Sequence, residues 1–179
     1  GVRVSGYDKT ETALTKKLEA EGIAIHFEDN IEFIDKGAEL VVYTPAIPKG
    51  HKELNYFLQN NYPMAKRSEV LGAITNSSYN ICIAGTHGKT TTSTMVAHIL
   101  RQSGYGCNAF LGGISVNYDT NFWPQANSGK SKKNVSVVEA DEYDRSFLKL
   151  NPDVAIISSM DPDHLDIYGT AENMEQAFI

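Results

Sequence analysis

The sequence predicts an α/β fold built on parallel sheets, arranged as two domains over residues 1–78 and 79–179. Three observations predict it. Short apolar runs alternate with stretches at helical spacing, and parallel strands need such crossovers between them. The composition changes at Asn76-Ser77-Ser78, which separates two series of this kind. In the second series an apolar run, a glycine turn and a long helical stretch follow one another directly over 81–102.

The first series opens with a strand at Val2–Ser5, a helix over about Glu11–Glu21 and a short strand at Ile23–His26. Leu40-Val41-Val42-Tyr43 is the next strand, and helical stretches follow around Lys52–Gln59 and Ser68–Thr75. The second series places strands at Ile81–Ala84, Asn108–Leu111, Val135–Val138 and Val154–Ser158. A helix over Thr90–Gln102, closed by Gly104, carries Met95, Val96, Ile99 and Leu100 on one side, the spacing of a helix packed on a sheet. A long polar loop is expected from the Asn108–Leu111 strand to about Asn134. Both ends read as truncated. Gly1–Asp8 looks like the later part of a strand and its turn, and a helix N-capped by Thr170 reaches Ile179 without a stop signal. The chain is therefore expected to be a fragment of a longer protein.

Composition excludes several classes. At 179 residues the chain can bury a substantial core. A net charge of −6 leaves no face-wide excess of Lys and Arg to neutralise phosphates, so no nucleic-acid surface is expected. The short basic cluster Lys130-Ser131-Lys132-Lys133 reads as a solvated loop tip. No apolar run is long enough for a membrane span, and no signal peptide is expected. Cys82 and Cys107 both lie in apolar runs and read as buried thiols of a reducing compartment, so a cytoplasmic protein is expected. Nothing in the sequence specifies an oligomeric state.

Gly85-Thr86-His87-Gly88-Lys89-Thr90-Thr91 follows the apolar run Ile81-Cys82-Ile83-Ala84 directly. A buried strand, a glycine turn and a helix opening on Lys-Thr make a phosphate cradle, because the turn aims successive amides inward and the helix N-terminus adds partial positive charge. The expectation is a P-loop-type domain binding a nucleoside triphosphate, with Lys89 reaching the β/γ-phosphates and the Thr90 hydroxyl holding Mg²⁺. The loop is a shortened one, since a G-x-x-x-x-G-K-[ST] pattern needs glycine where Ile83 stands. A turn that merely joined strand to helix would not require Gly-Lys-Thr-Thr at the helix start.

Two further strand ends carry charge. Val135–Val138 runs into Glu139-Ala140-Asp141-Glu142-Tyr143-Asp144, and Val154–Ser158 into Ser159-Met160-Asp161-Pro162-Asp163-His164-Leu165-Asp166. Ligands of open parallel sheets sit outside the carboxyl ends of the strands. Glu139 stands where a nucleotide-binding enzyme places a carboxylate for Mg²⁺, a hard cation suited to oxygen ligands. His164 is read as a second metal ligand or a neutral donor near the transferred phosphate. Asp141, Glu142, Asp144, Asp161, Asp163 and Asp166 cannot all be ligands, and most are expected to be surface charge or turn formers.

Other residues carry less. His98 is expected to be solvated, and His87 is read equally as a substrate contact or a spacer. Tyr118, Phe122 and Trp123 are placed in the long loop as hinge packing or a lid, and His26 and His51 lack charged partners nearby in sequence.

Taken together, these motifs resemble the Mur ligase family. Within it the chain is most similar to the branch that joins L-alanine to the muramoyl carboxylate of UDP-N-acetylmuramate. The resemblance rests on Gly85–Thr91, on Glu139-Ala140-Asp141-Glu142 with Ser146-Phe147-Leu148 and Pro152-Asp153-Val154-Ala155, and on Asp163–Gly169. Val41–Pro48 adds the turn that helps hold the uridine nucleotide in that family. It implies that 1–78 is a Rossmann-like domain for the UDP end, lacking its first strand and glycine turn. It implies that 79–179 is the first part of a central domain binding ATP and Mg²⁺.

By matched position, the resemblance makes Lys89 the stabiliser of the transferring phosphoryl group, Thr90 and Glu139 the holders of the first Mg²⁺, and His164 a holder of the second. The Gly85–Thr91 backbone, including Thr86, His87, Gly88 and Thr91, would cradle the β-phosphate. The reaction implied is ATP-dependent amide formation through an acyl phosphate in peptidoglycan precursor synthesis, with UDP-N-acetylmuramate and L-alanine as substrates. The fragment alone is expected to be inactive. Ser159 stands where that branch usually has Asn, and no lysine follows His164 that could be the carbamylated lysine of some relatives. Two other readings stay open. A recycling ligase attaching a whole tripeptide shares the phosphate loop and Asp141-Glu142-Tyr143-Asp144, and a non-catalytic nucleotide switch would share the loop alone, although no Asn-Lys-x-Asp segment is present.

Overall fold

The computed structural model describes residues 1–125 and 133–178. It forms two compact units, Gly1–Arg67 and Ser68–Ile179. In the first unit, β1 (Ser5–Tyr7) pairs in parallel with β2 (Ala24–His26), and α1 (Ala13–Ala20) connects them. The expected opening strand at Val2–Ser5 is therefore shifted along the chain, because the register pairs Ser5 with Ala24 and Tyr7 with His26. Likewise β3 (Val41–Tyr43) pairs in parallel with β4 (Met64–Lys66) across α2 (Lys52–Gln59). Thr12 caps α1 by accepting from the Thr15 amide, while the Thr15 hydroxyl oxygen accepts from the Thr12 amide.

His26 finds its partner far along the chain and His51 finds one three residues on. His26 Nε2 lies 2.8 Å from Glu53 Oε1, and that carboxylate also accepts from the Asn30 amide. His51 caps α2 through Nδ1, which accepts from the Leu54 amide.

The second unit is a five-stranded sheet in the order β7-β6-β8-β5-β9. Its strands are β5 (Tyr79–Ala84), β6 (Asn108–Ser115), β7 (Thr120–Trp123), β8 (Val135–Glu139) and β9 (Val154–Ile157). All pairings are parallel except that of β6 with β7. The loop expected after Leu111 is corrected here: β6 continues through Ser115, and the chain turns back as β7. Trp123 is buried against Tyr118, with ring centroids 4.7 Å apart, and Phe122 lies on Phe110 at 5.1 Å. These aromatics belong to the β6–β7 hairpin instead of a long loop. Of the basic cluster, positions 130–132 lie outside the described residues.

The remaining elements cover the sheet. α3 (Arg67–Thr75) precedes it, and α4 (Lys89–Gln102) follows β5. A 3-10 segment (Tyr143–Lys149), α5 (Leu165–Tyr168) and α6 (Ala171–Ala177), N-capped by Thr170, complete the unit. One core lies between α4 and the sheet, where Val96, Ala97 and Leu100 meet Ile83, Ala109 and Val137. Met95 and Ile99 are 58% and 62% exposed, so the buried stripe runs through Ser93, Val96, Ala97 and Leu100 instead of the stripe expected from apolar spacing. Small Ser93 and Ala97 let the helix approach the strands closely. On the opposite face Cys82, Ala84 and Val138 pack with Leu71, Phe147 and Phe178. His98 is also not free in solvent, since Nδ1 lies 2.7 Å from the Tyr118 hydroxyl. No helix among the described residues is long and apolar enough to cross a membrane.

Candidate functional site

The sheet order places β5 between β8 and β9, which brings the three charged strand ends together. Each strand supplies a different part.

After β5 the chain turns through Gly85 at φ +121° and Gly88 at φ +80°, backbone that favours glycine. A Cβ on Gly85 would lie 2.6 Å from Ser158 Oγ and 2.7 Å from the Ser159 carbonyl oxygen, so only glycine lets the loop press against the end of β9. That contact is hydrogen-bonded throughout. The Thr86 amide donates to the Ser159 carbonyl at 3.1 Å, and the His87 amide to Ser159 Oγ at 2.8 Å. The Thr86 and Ser159 hydroxyls are 2.8 Å apart, and the Asp161 amide donates to Thr86 Oγ1. Ser158 Oγ donates to the Ala84 and His87 carbonyls. The amides of Thr86 and His87 therefore face β9. The amides that no side chain caps are those at the start of α4, where Gly88 is the N-cap and Lys89, Thr90 and Thr91 form the first turn. The His87 side chain is 71% exposed and 4.0 Å from Asp161.

Two carboxylates from the β8 end meet this turn. Glu139 Oε1 accepts from Thr90 Oγ1 at 2.9 Å, and Oε2 accepts from the Gly112 amide at 2.7 Å. Gly112 is glycine for a packing reason, since a Cβ there would lie 2.3 Å from Glu139 Oε1. Glu142, one of six acidic residues of which most are expected to be surface charge or turn formers, has a side chain only 2% exposed and holds Lys89. Lys89 Nζ donates to Glu142 Oε1 at 2.9 Å and to the Gly85 carbonyl at 2.7 Å. Glu142 Oε2, 2.8 Å from the same nitrogen, makes a charge contact outside hydrogen-bond alignment.

From the β9 side, His164 Nε2 comes within 3.7 Å of Glu142 Oε1, and the His164 ring packs edge-on to Tyr143. His164 has φ +50°, left-handed backbone in a residue other than glycine, of the kind found where a side chain must be aimed. The Tyr168 hydroxyl donates to the Glu142 carbonyl at 2.6 Å and ties α5 to the β8 end. Sequence reasoning singled out Lys89, Thr90, Glu139 and His164 but not Glu142, Ser158 or the clamp made by Ser159. Glu142 had one usable signal, its position three residues after Glu139 on the same strand exit.

Among the described residues no group of three or more His, Cys, Asp or Glu converges on one point. The oxygen pair Thr90–Glu139 nevertheless suits Mg²⁺, which takes one or two protein oxygens and completes its shell with phosphate and water. The glycine turn and the uncapped start of α4 suit a phosphate chain.

Comparison with known proteins decides the family. The Mur ligase middle domain family model matches residues 83–179, and the Mur ligase family catalytic domain model matches residues 1–79. The chain belongs to the Mur ligase family. Among Mur ligases it is 53% identical to the UDP-N-acetylmuramate–L-alanine ligase of Phocaeicola vulgatus, over 99% of this chain and 39% of that protein. The corresponding ligase of Cytophaga hutchinsonii is 55% identical over 98% of this chain and 38% of its own length. The chain thus spans under two-fifths of the length of these relatives. Two solved Mur ligases share the fold. The UDP-N-acetylmuramate:L-alanyl-gamma-D-glutamyl-meso-diaminopimelate ligase from Neisseria meningitides superposes with a TM-score of 0.87 at 26% identity, covering 98% of this chain and 58% of that one. The UDP-N-acetylmuramate-alanine ligase from Thermotoga maritima gives 0.85 at 28% identity, with 97% and 40% covered.

Proposed function

We propose that the full-length protein is an ATP-dependent ligase that joins L-alanine to the muramoyl carboxylate of UDP-N-acetylmuramate. The observation that carries this reading is the meeting of Lys89, the Thr90–Glu139 pair and His164 at three adjacent strand ends, in a chain 46–55% identical to ligases named for that reaction. Residues 79–179 would be the first part of the central ATP-binding domain and residues 1–78 most of the domain for the UDP end.

ATP with Mg²⁺ would supply the phosphoryl group that activates the substrate carboxylate for attack by the amine. The residues described here would position and neutralise. Two anions must approach each other, so charge compensation dominates. Thr90 and Glu139 would hold the cation through oxygen atoms already 2.9 Å apart. Lys89 would face the transferring phosphoryl group, and His164, beside the same Glu142 oxygen, would serve as a second metal ligand or a donor. The leading amides of α4 would take the phosphate oxygens. No nucleophilic side chain is required, because the substrate brings its own carboxylate.

The recycling reading shares this machinery and differs in the incoming amine. The support for alanine is the 46–55% identity to ligases named for alanine; the solved structures do not separate the two readings, at 28% identity to the alanine ligase and 26% to the tripeptide ligase. The deciding experiment is ADP release by the full-length enzyme with UDP-N-acetylmuramate, comparing L-alanine with the tripeptide. Alanine-dependent release is expected. Tripeptide-dependent release would move the enzyme to recycling, and release independent of both would return the nucleotide switch.

A further inference from the structure

We propose that Glu142 is a positioning residue that fixes Lys89 on a buried carboxylate beside His164 and so sets the phosphate loop before nucleotide arrives. This deepens the reading above and rests on it for the kinetic part of its test only.

The three partners come from three different strand exits. Lys89 opens α4 after β5, Glu142 follows β8, and His164 follows β9. The Glu142 side chain is 2% exposed and that of Lys89 15%, so their contact is shielded from solvent. A carboxylate buried this deeply is tolerated only with a cation beside it, and removing one partner of such a pair costs far more than removing both. Its backbone is fixed as well, since the Glu142 carbonyl accepts from Tyr168 Oη and from the Arg145 amide.

The consequence for Lys89 is directional. An ammonium has three N–H donors and no acceptor. One is given to the Gly85 carbonyl at 2.7 Å and one to Glu142 Oε1 at 2.9 Å. The Thr86 carbonyl, at 3.4 Å, is a weak third acceptor that a phosphate oxygen can displace. Glu142 thereby turns a flexible side chain into an aimed one and leaves the third donor on its weak acceptor. His164 Nε2 lies 3.7 Å from the same oxygen, Glu142 Oε1. Lys89 and His164 thus approach the same carboxylate oxygen, Glu142 Oε1, from two different strand exits.

The test has a ligand-free part and a kinetic part, both on the full-length protein. In the ligand-free part, melting temperatures are compared for wild type, Lys89→Ala, Glu142→Gln and the double variant. Lys89→Ala is expected to lower Tm because Glu142 loses its cation. The double variant is expected to regain much of that loss because the stranded charge is gone. Additive losses would overturn the proposal. In the kinetic part, Glu142→Gln keeps the side-chain shape. It is expected to lower kcat at least about tenfold, as loss of an orienting partner does. The KM for ATP should change less than about threefold. A Glu142→Gln enzyme with lowered Tm but wild-type kcat would leave a structural ion pair and overturn the positioning role. If the wild-type enzyme releases no ADP with either amine, the functional reading fails, while additive melting-temperature losses would still overturn the Lys89–Glu142 pairing that the proposal requires.

Discussion

Thr90 Oγ1 donates to Glu139 Oε1 across 2.9 Å, which joins the first turn of α4 to the end of β8. With the Gly112 amide on the other carboxylate oxygen, Glu139 is oriented from two sides before any ligand enters. Orientation in advance means that little reorganisation is needed when charge develops.

Glu139→Ala removes the carboxylate and leaves the fold, because the side chain lies at the rim of the sheet. Ligation by the full-length enzyme is expected to fall by about 10²–10³. Thr90→Val keeps the side-chain volume and deletes the hydroxyl, and should raise the Mg²⁺ concentration for half-maximal rate by about tenfold. A Mg²⁺ titration of ADP release checks both. Wild-type metal dependence in Thr90→Val would remove Thr90 from the metal site.

Gly112→Ala perturbs the same carboxylate from behind. The new Cβ would stand 2.3–2.8 Å from the Glu139 carboxylate atoms, so that group must move. The clash falls on the far end of a flexible side chain, which can swing aside, and the stability cost is expected to stay below about 1 kcal/mol. Turnover should nevertheless drop, because Glu139 no longer meets Thr90. Unchanged kcat with unchanged Tm would show that the Gly112–Glu139 contact has no bearing on the reaction.

The legible parts of the sequence were those where chemistry and local pattern coincide. Gly85–Thr91 after an apolar run could be read directly, since strand, turn and helix start are contiguous. Glu139 and His164 were visible because both follow strands. Glu142 was not, because burial of a carboxylate depends on Lys89, fifty-three residues away, and on Tyr168 beyond β9. The β6–β7 hairpin was hidden by Gly112 and Gly113, which break a strand pattern but here admit Glu139 and Thr90. The α4 face was misplaced because Ser93 and Ala97, buried for their small size, carry little apolar signal.

Gly85→Ala tests the clamp between the phosphate loop and β9. The added Cβ meets Ser158 Oγ at 2.6 Å and the Ser159 backbone at 2.7 and 2.8 Å, at φ +121°. Backbone is less forgiving than a side-chain tip, and left-handed strain alone costs about 1–3 kcal/mol. Denaturant unfolding should register a loss of that order, accompanied by loss of nucleotide binding in a calorimetric titration. Full nucleotide affinity in Gly85→Ala would mean that the loop does not need its seat on Ser158 and Ser159.

Cys82 and Cys107 give a pH dependence of defined sign. They are 4% and 1% exposed, and burial pushes each thiol from its ordinary 9.0 up to about 11. For Cys82 the Asp153 charge pushes the same way, whereas at Cys107 Trp123 and Arg101 oppose burial without outweighing it. A group whose folded value is raised binds its proton more tightly in the native state. Its contribution is therefore complete below pH 9.0, the unfolded value, and is lost as pH rises through about 11. At pH 8 the native thiolate fraction is about 10⁻³, so alkylation should be slow until the protein opens. Peptide mapping after brief maleimide exposure, with and without denaturant, checks this. Labelling of Cys82 or Cys107 in the native protein at the rate of a free thiol would show that the strands carrying them open to solvent.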